Sequence, residues 1–339
     1  MKKLSDVFYV VVIISVVCFG GCSKKQAETQ QVVLYCSADQ EYAEPIIAAF
    51  ERQTGIKVLA RFDTEAGKTV GLVQRLRSEG KSPIADVFWS SEVFYTIRLA
   101  REGLLDSYSS IAQKNWPGFL VGKNKLWHGF ALRARVIAYS TSRVKSADVP
   151  RSLEDLCDPK WKGRIVIANP AFGTTGGDVA SWFVHYGQAR AEEILAQLRA
   201  NNIRIVDGNS TAVRLVATGQ ADVCMTDTDD VYAAQRNGWP VAMAWLDQGG
   251  AGTLAIPNTV ALVAGSPHRE PAMKLINFLL SEQVEKMLAQ SDSHNSPVHP
   301  SLKKEFKKYD IPKPIDISYE KIADALPEAI KVSRKILKK

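Results

Sequence analysis

Three carboxylates, Asp227, Asp229 and Asp230, fall within four residues where the apolar run ADVCM gives way to TDTDDVYAAQ. Oxygen donors packed this closely suit a hard cation, since carboxylates are the usual protein ligands of Ca²⁺, Mg²⁺ or Mn²⁺. The same residues also suit a helix start. Thr228 or Asp229 would serve as N-cap, and acids in the first turn meet the positive end of the helix dipole. The two readings are compatible, because strand-to-helix turns at the carboxyl ends of α/β sheets are where ligands bind. Asp229 carries the cation reading most directly.

Two further stretches have the chemistry of an anion site. NPAFGTTGGDVASWF sets Gly173, Thr174, Thr175, Gly176 and Gly177 just ahead of a helix, and GNSTAVRLVATG sets Asn209, Ser210 and Thr211 in the same place. Small residues let backbone N–H groups approach a ligand, and a helix start favours negative charge. The plainer reading of each is a capped, glycine-rich loop. Two such starts converging on one cleft would be more specific than either. Arg133 and Arg135 alternate with apolar residues and so share one face of an extended stretch. They would bind an anion, neutralise a nearby acid such as Glu92, or lock two lobes by a salt bridge.

Other features point away from catalysis. EAGKTVG is reminiscent of a phosphate-binding loop, but Phe62 stands where the leading glycine belongs. The five histidines are scattered without metal-ligand spacing. Trp89 either lines a cleft beside Glu92 or packs in the core. No nucleophile–base pair is evident, and no enzyme is expected.

The elements that must position these residues alternate strand and helix. QVVLYCS is followed by EPIIAAFERQTG, with Ile46, Ile47 and Phe50 on one side and Gly55 at the C-cap. IKVLARF, KTVGLVQRLRSEG, ADVFWS and EVFYTIRLAREGLL continue the pattern, which implies parallel pairing and an α/β lobe. A second unit contains GRIVIANP, DVASWFVHYG, AEEILAQLRANN, IRIVDG and TAVRLVATG. Two extended stretches, FALRARVIAYST and TLAIPNTVALVAG, bracket it. Side by side, they would carry the chain from one lobe to the other and back. The expected division is residues 32–131 with 259–339 in lobe 1 and 132–258 in lobe 2.

With 339 residues, 46% of them hydrophobic and 23% charged, the chain can bury the cores of two lobes. The net charge of +7 is concentrated near the C-terminus, and no nucleic-acid motif accompanies it. Residues 1–22 read as an export signal: a basic MKK, the apolar VFYVVVIISVVCF and then GGC. The apolar run is shorter than the roughly 20 residues of a spanning helix. FGGC is similar to a lipobox, which makes Cys22 the expected lipidated residue and residues 23–31 a polar tether. The location expected is therefore exported, periplasmic or cell-surface, and membrane-anchored. Cys36, Cys157 and Cys224 form no CxxC pair, and Cys36 and Cys224 sit in apolar strand-like runs as small buried thiols.

Taken in order, TGIKV, SPIADVFWSSE, EGLL, SLEDLCDPKWKGRIVIANP and FGTTGG…GNSTAV…TDTDD resemble the periplasmic ferric-iron-binding solute-binding proteins of ABC importers. The resemblance covers nearly all of the chain from residue 32. It implies a two-lobed α/β fold of the periplasmic-binding-protein type II-like kind, with two crossing hinge strands. It also implies iron(III) as the transported ligand and a permease with a cytoplasmic ATPase as partners. In such relatives mainly oxygen donors hold the iron: a tyrosine pair from lobe 2 and a carboxylate from lobe 1, with a histidine nitrogen beside them. The histidine position falls near Asp39, the carboxylate near Glu92, and the tyrosine pair on Asp229 and Asp230. That last match is a departure, and Tyr232 on the following helix would point elsewhere. A synergistic anion, or a ligand phosphate, is implied at Thr174, Thr175 and Gly176, with Asn209 and Arg135. Four carboxylates in one cleft raise one another's pKa values and call for a cation. The alternatives to iron(III) are a divalent metal and a phosphorylated or phosphonate small molecule. A carboxylate-based enzyme is the remaining alternative.

Overall fold

The computed structural model describes residues 30–63, 67–113 and 116–337. The expected export signal, Cys22 and most of the tether lie outside the described residues. The first half builds β1 (Gln31–Cys36), α1 (Gln40–Thr54), β2 (Lys57–Phe62), α2 (Val70–Glu79), β3 (Val87–Ser90), α3 (Phe94–Arg101) and the short β4 (Leu105–Asp106). β1 pairs parallel with both β2 and β3. Val32 to Cys36 are buried, as befits a central parallel strand covered on both faces. Gly55 ends α1 at φ 70°, its N–H donating to the Glu51 carbonyl at 2.9 Å.

β5 (His128–Ser140) is the hinge. Its first half pairs antiparallel with β10 (Ala255–Val263), and its second half pairs with β8 (Val223–Asp227) and β9 (Val241–Trp245). Between these strands lie α4 (Leu153–Cys157), β6 (Ile165–Ala168), α5 (Gly173–His185), α6 (Gln188–Ala200), β7 (Arg204–Val206), α7 (Asn209–Ala217) and α8 (Thr228–Arg236). β6 pairs parallel with β7 and β8. The path β2-β1-β3-β10-β5-β8-β6-β7 therefore runs through both lobes, joined at β5 and β10.

The C-terminal part adds α9 (Arg269–Leu279), α10 (Glu282–Gln290) and α11 (Tyr319–Leu337). α9 and α10 bury Leu275, Ile276, Leu279 and Val284 in the core of the first lobe with Leu34, Val87 and Trp89. α11 departs from the expected grouping, because it straddles the lobes. Arg101 of α3 pairs with its Glu320 at 2.7 Å and Asp324 at 2.5 Å. Arg199 of α6 donates to the Leu337 carbonyl at 3.3 Å, and its apolar face packs on α5 and α6. An apolar stripe wide enough to cover helices from both halves has no reason to stay with one. Cys36, Cys157 and Cys224 are free thiols, the first and last buried.

Candidate functional site

Seven segments end on one pocket, and five of them are turns at the carboxyl ends of parallel or hinge-adjoining strands. Asp39 follows β1 and Ser91 follows β3. Gly173, Thr174 and Thr175 follow β6, Asp207 and Asn209 follow β7, and Asp227, Asp229 and Asp230 close β8 and open α8. Lys68, ahead of α2, and Arg133 of β5 complete the wall. The inner pocket has a volume of about 30 Å³, enough for an ion or a water-sized group.

The three aspartates offer carboxylate oxygens within 4.8 Å of one another. Asp227, not Thr228 or Asp229, is the N-cap of α8, and its side chain does not cap. Instead it accepts from Arg135 Nη1 at 2.7 Å, Thr174 Oγ1 at 2.6 Å and Asn209 Nδ2 at 3.1 Å. Asp229 Oδ2 accepts from Arg133 Nη1 at 2.7 Å, whereas Asp229 Oδ1 is buried without a hydrogen-bond partner. Asp230 accepts from the Thr226 hydroxyl at 2.9 Å, and no ion pair to it exists among the described residues. Across the pocket, Asp39 holds Lys68 Nζ at 2.5 Å.

Charge is unevenly distributed over these acids. Burial pushes the Asp227 carboxyl up, but Arg135, Arg133 and the Thr174 hydroxyl more than offset it and hold it below the usual range. For Asp39 burial is likewise outweighed, here by Lys68 and Arg133. Burial raises Asp229 despite Arg133, with Asp227 and Asp39 adding to the rise. Asp230 is raised furthest of the three, by burial and then by Asp229 and Asp227. A cation entering beside Asp229 and Asp230 would relieve both.

Helix starts supply the opposite sign. Gly173 takes φ 53°, a backbone conformation suited to glycine, as α5 begins against the pocket. The first intrahelical bond of α5 is Gly176 N–H to the Phe172 carbonyl at 3.2 Å, so the N–H groups of residues 173–175 precede it. In α7 the first such bond is Ala212 N–H to the Gly208 carbonyl at 3.1 Å. Asn209 ties the two starts together, accepting from Thr175 Oγ1 at 3.2 Å and donating to Thr174 Oγ1 at 3.2 Å.

The pocket brings together Asp39, Thr174, Thr175, Asn209, Asp229 and Asp230, but not every expected residue. Glu92 turns inward, accepting from the N–H groups of Phe94 at 2.6 Å and Tyr95 at 3.1 Å. It precedes α3, is fully buried and does not line the pocket. Arg135 is equally closed off: besides Asp227 it donates to Asp178 at 3.1 Å, which leaves Arg133 as the guanidinium on the pocket. Gly176 does not line the pocket. A Cβ there would lie 2.8 Å from the Pro170 carbonyl, so its smallness serves packing. Trp89 is core, with Nε1 donating to Asn258 at 3.3 Å. Tyr232 stacks edge-on against His294 and Tyr309, away from the acids. Lys68, Ser91 and Asp207 carry no sequence signal of a site. Lys68 lies in EAGKTVG, which lacks the leading glycine of a phosphate-binding loop.

Comparison with known proteins matches residues 82–321 to the bacterial extracellular solute-binding protein family. The chain belongs to that family. Iron uptake protein A1 of a Synechocystis strain is 31% identical over 317 residues, which span 90% of this chain and 86% of that protein. A putative 2-aminoethylphosphonate-binding periplasmic protein of Salmonella paratyphi A is 30% identical, over 74% of this chain and 73% of its own. Iron-bound HitA from Pseudomonas aeruginosa superposes with a TM-score of 0.78 at 28% identity, over 91% of this chain and 99% of that one. As an extracellular solute-binding protein, the chain places its pocket where the two lobes of the fold meet.

Proposed function

We propose that the protein captures iron(III) in the interlobe pocket and hands it to the permease of an ABC importer driven by a cytoplasmic ATPase. The observation that carries this reading is Asp229 Oδ1, a buried oxygen without a partner among three carboxylates whose oxygens lie within 4.8 Å. The likeness to an iron uptake protein and to iron-bound HitA supports iron as the cargo. Asp229 and Asp230 from the second lobe and Asp39 from the first are the ligands, so closure of the lobes completes the shell. Phenolate is absent from this set, and oxygen donors alone also suit a divalent metal. Arg133 and the first-turn amides of α5 and α7, with Thr174, Thr175 and Asn209 behind them, hold a companion anion.

A second reading has its own support. The same amides with Lys68 and Arg133 suit a phosphate or phosphonate, and one relative is described as binding 2-aminoethylphosphonate. Mass spectrometry and metal analysis of natively purified protein separate the two. Stoichiometric iron is expected; a phosphorylated organic molecule without stoichiometric metal overturns the ferric reading. Neither reading includes catalysis. The proposal extends to an anchor at Cys22, which Cys22→Ala should abolish in detergent partitioning and mass; unchanged behaviour would remove it.

A further inference from the structure

The acids face two spaces. On one side is the inner pocket. On the other, Asp39, Lys68, Asp229 and Asp230 also border a chamber of about 420 Å³. Its remaining walls come from the first turn of α1, including Glu41 and Tyr42, and from the α7–α8 side, including Val213, Ala233 and Trp239. This volume lies in the range of small-molecule sites and far exceeds the needs of an ion.

The chemistry of the chamber is one-sided. Four carboxyl groups, Asp39, Glu41, Asp229 and Asp230, face a single lysine, and Asp39 already holds that lysine at 2.5 Å. Asp229 Oδ1, on a residue only 6% exposed, has no hydrogen-bond partner. Tyr42 and Trp239 add a phenol and an indole to the lining of the same chamber. Carboxylates together with aromatic faces are the groups that recognise an organic ammonium ion.

We propose that the outer chamber binds a small organic ammonium compound, with its nitrogen against Asp229 and Asp230 and its carbon body against Tyr42 and Trp239. This goes beyond the ferric reading and shares with it only the acids, so amine and metal exclude one another. The test is calorimetric titration of the full chain, stripped of metal by a chelator, with ethanolamine, putrescine and choline in turn. At least one should bind with a stoichiometry of one, and Asp230→Asn should abolish that binding. Trp239→Leu and Tyr42→Leu should each weaken it about tenfold, as loss of an aromatic face against a desolvated cation does. Circular dichroism checks that each variant is folded, and Trp239→Leu should keep ferric binding. A saturating amount of the amine should weaken ferric binding to the wild type. If no amine binds at millimolar concentration, or if both aromatic variants bind as the wild type does, the proposal is overturned. Ferric titration of the same preparation separates the two claims. Iron binding without amine binding defeats the chamber alone, and amine binding without iron defeats the ferric reading alone.

Discussion

Replacing Arg133 by methionine keeps most of the side-chain volume and removes the charge beside Asp229. Arg133 Nη1 lies 2.7 Å from Asp229 and 3.9 Å from Asp227, and Nη2 donates to the Ser91 carbonyl of the first lobe. The paired side chains are only 6% and 7% exposed, so bulk water and salt screen the pair little. Removing one partner of a buried ion pair costs about 3–5 kcal/mol, because the other charge is left uncompensated. The lost bond to Ser91 is a charge-assisted hydrogen bond between the lobes and falls within the same loss. Urea unfolding of metal-free Arg133→Met should therefore show a deficit of about 3–5 kcal/mol. Repeating the titration with iron(III) supplied as a soluble complex should return most of it, since the ion replaces the missing charge. The ferric-dependent gain should thus be larger in the variant than in the wild type. A deficit below about 1 kcal/mol, the scale of an exposed pair, would refute the reasoning. So would equal ferric stabilisation of the two proteins.

Asp229→Ala should weaken ferric binding about 100-fold or more, beyond the effect of outer-sphere partners, whereas Asp227→Ala should mainly lower stability; equal binding losses in calorimetry would mean that the ligand is misplaced. The Asp227 carboxyl sits below its usual range, so its stabilising contribution is present above the unfolded value of about 3.9 and lost as pH falls through the folded one. Asp227→Asn should consequently flatten the acid limb of the stability curve below about pH 4. Burial pushes Glu92 up to about 7, so its own contribution to stability is greatest below the unfolded value near 4.5 and declines as pH rises to 7. Glu92→Gln should remove a decline of about 3 kcal/mol across that window in pH-dependent urea unfolding, and an unaltered slope would count against the assignment. A Cβ on Gly177 would lie 2.0 Å from the ring of the buried Phe94, where α5 meets α3. Gly177→Ala should cost about 1–3 kcal/mol by thermal unfolding, and a neutral result would show that this contact yields easily.

The alternation of strands and helices, the cap at Gly55 and the glycine- and threonine-rich starts before α5 and α7 could all be read along the chain. Each depends on residues within a few positions of one another: period, propensity and backbone conformation act locally. Family likeness extended that reading to the fold and pointed to Asp39, Asp229 and Asp230, which line the pocket. It pointed to Glu92 as well, which does not line the pocket, because the identity of an acid says nothing about which way its side chain turns. There the N–H groups of Phe94 and Tyr95, at the start of α3, hold the carboxylate.

The choice between Arg133 and Arg135 was equally out of reach. Two residues on one face of a strand are equivalent in sequence, and only the positions of Asp178 and Asp227 against one and Asp229 against the other distinguish them. Lys68 joined the pocket because α2 begins opposite α8, and α11 crossed between the lobes because both halves offered it an apolar surface. Local order was thus written in the sequence, while the assignment of each charge to its partner was decided through space. Electrostatic pairing and burial depend on distances between residues that lie from tens to more than two hundred positions apart, which only the folded chain sets.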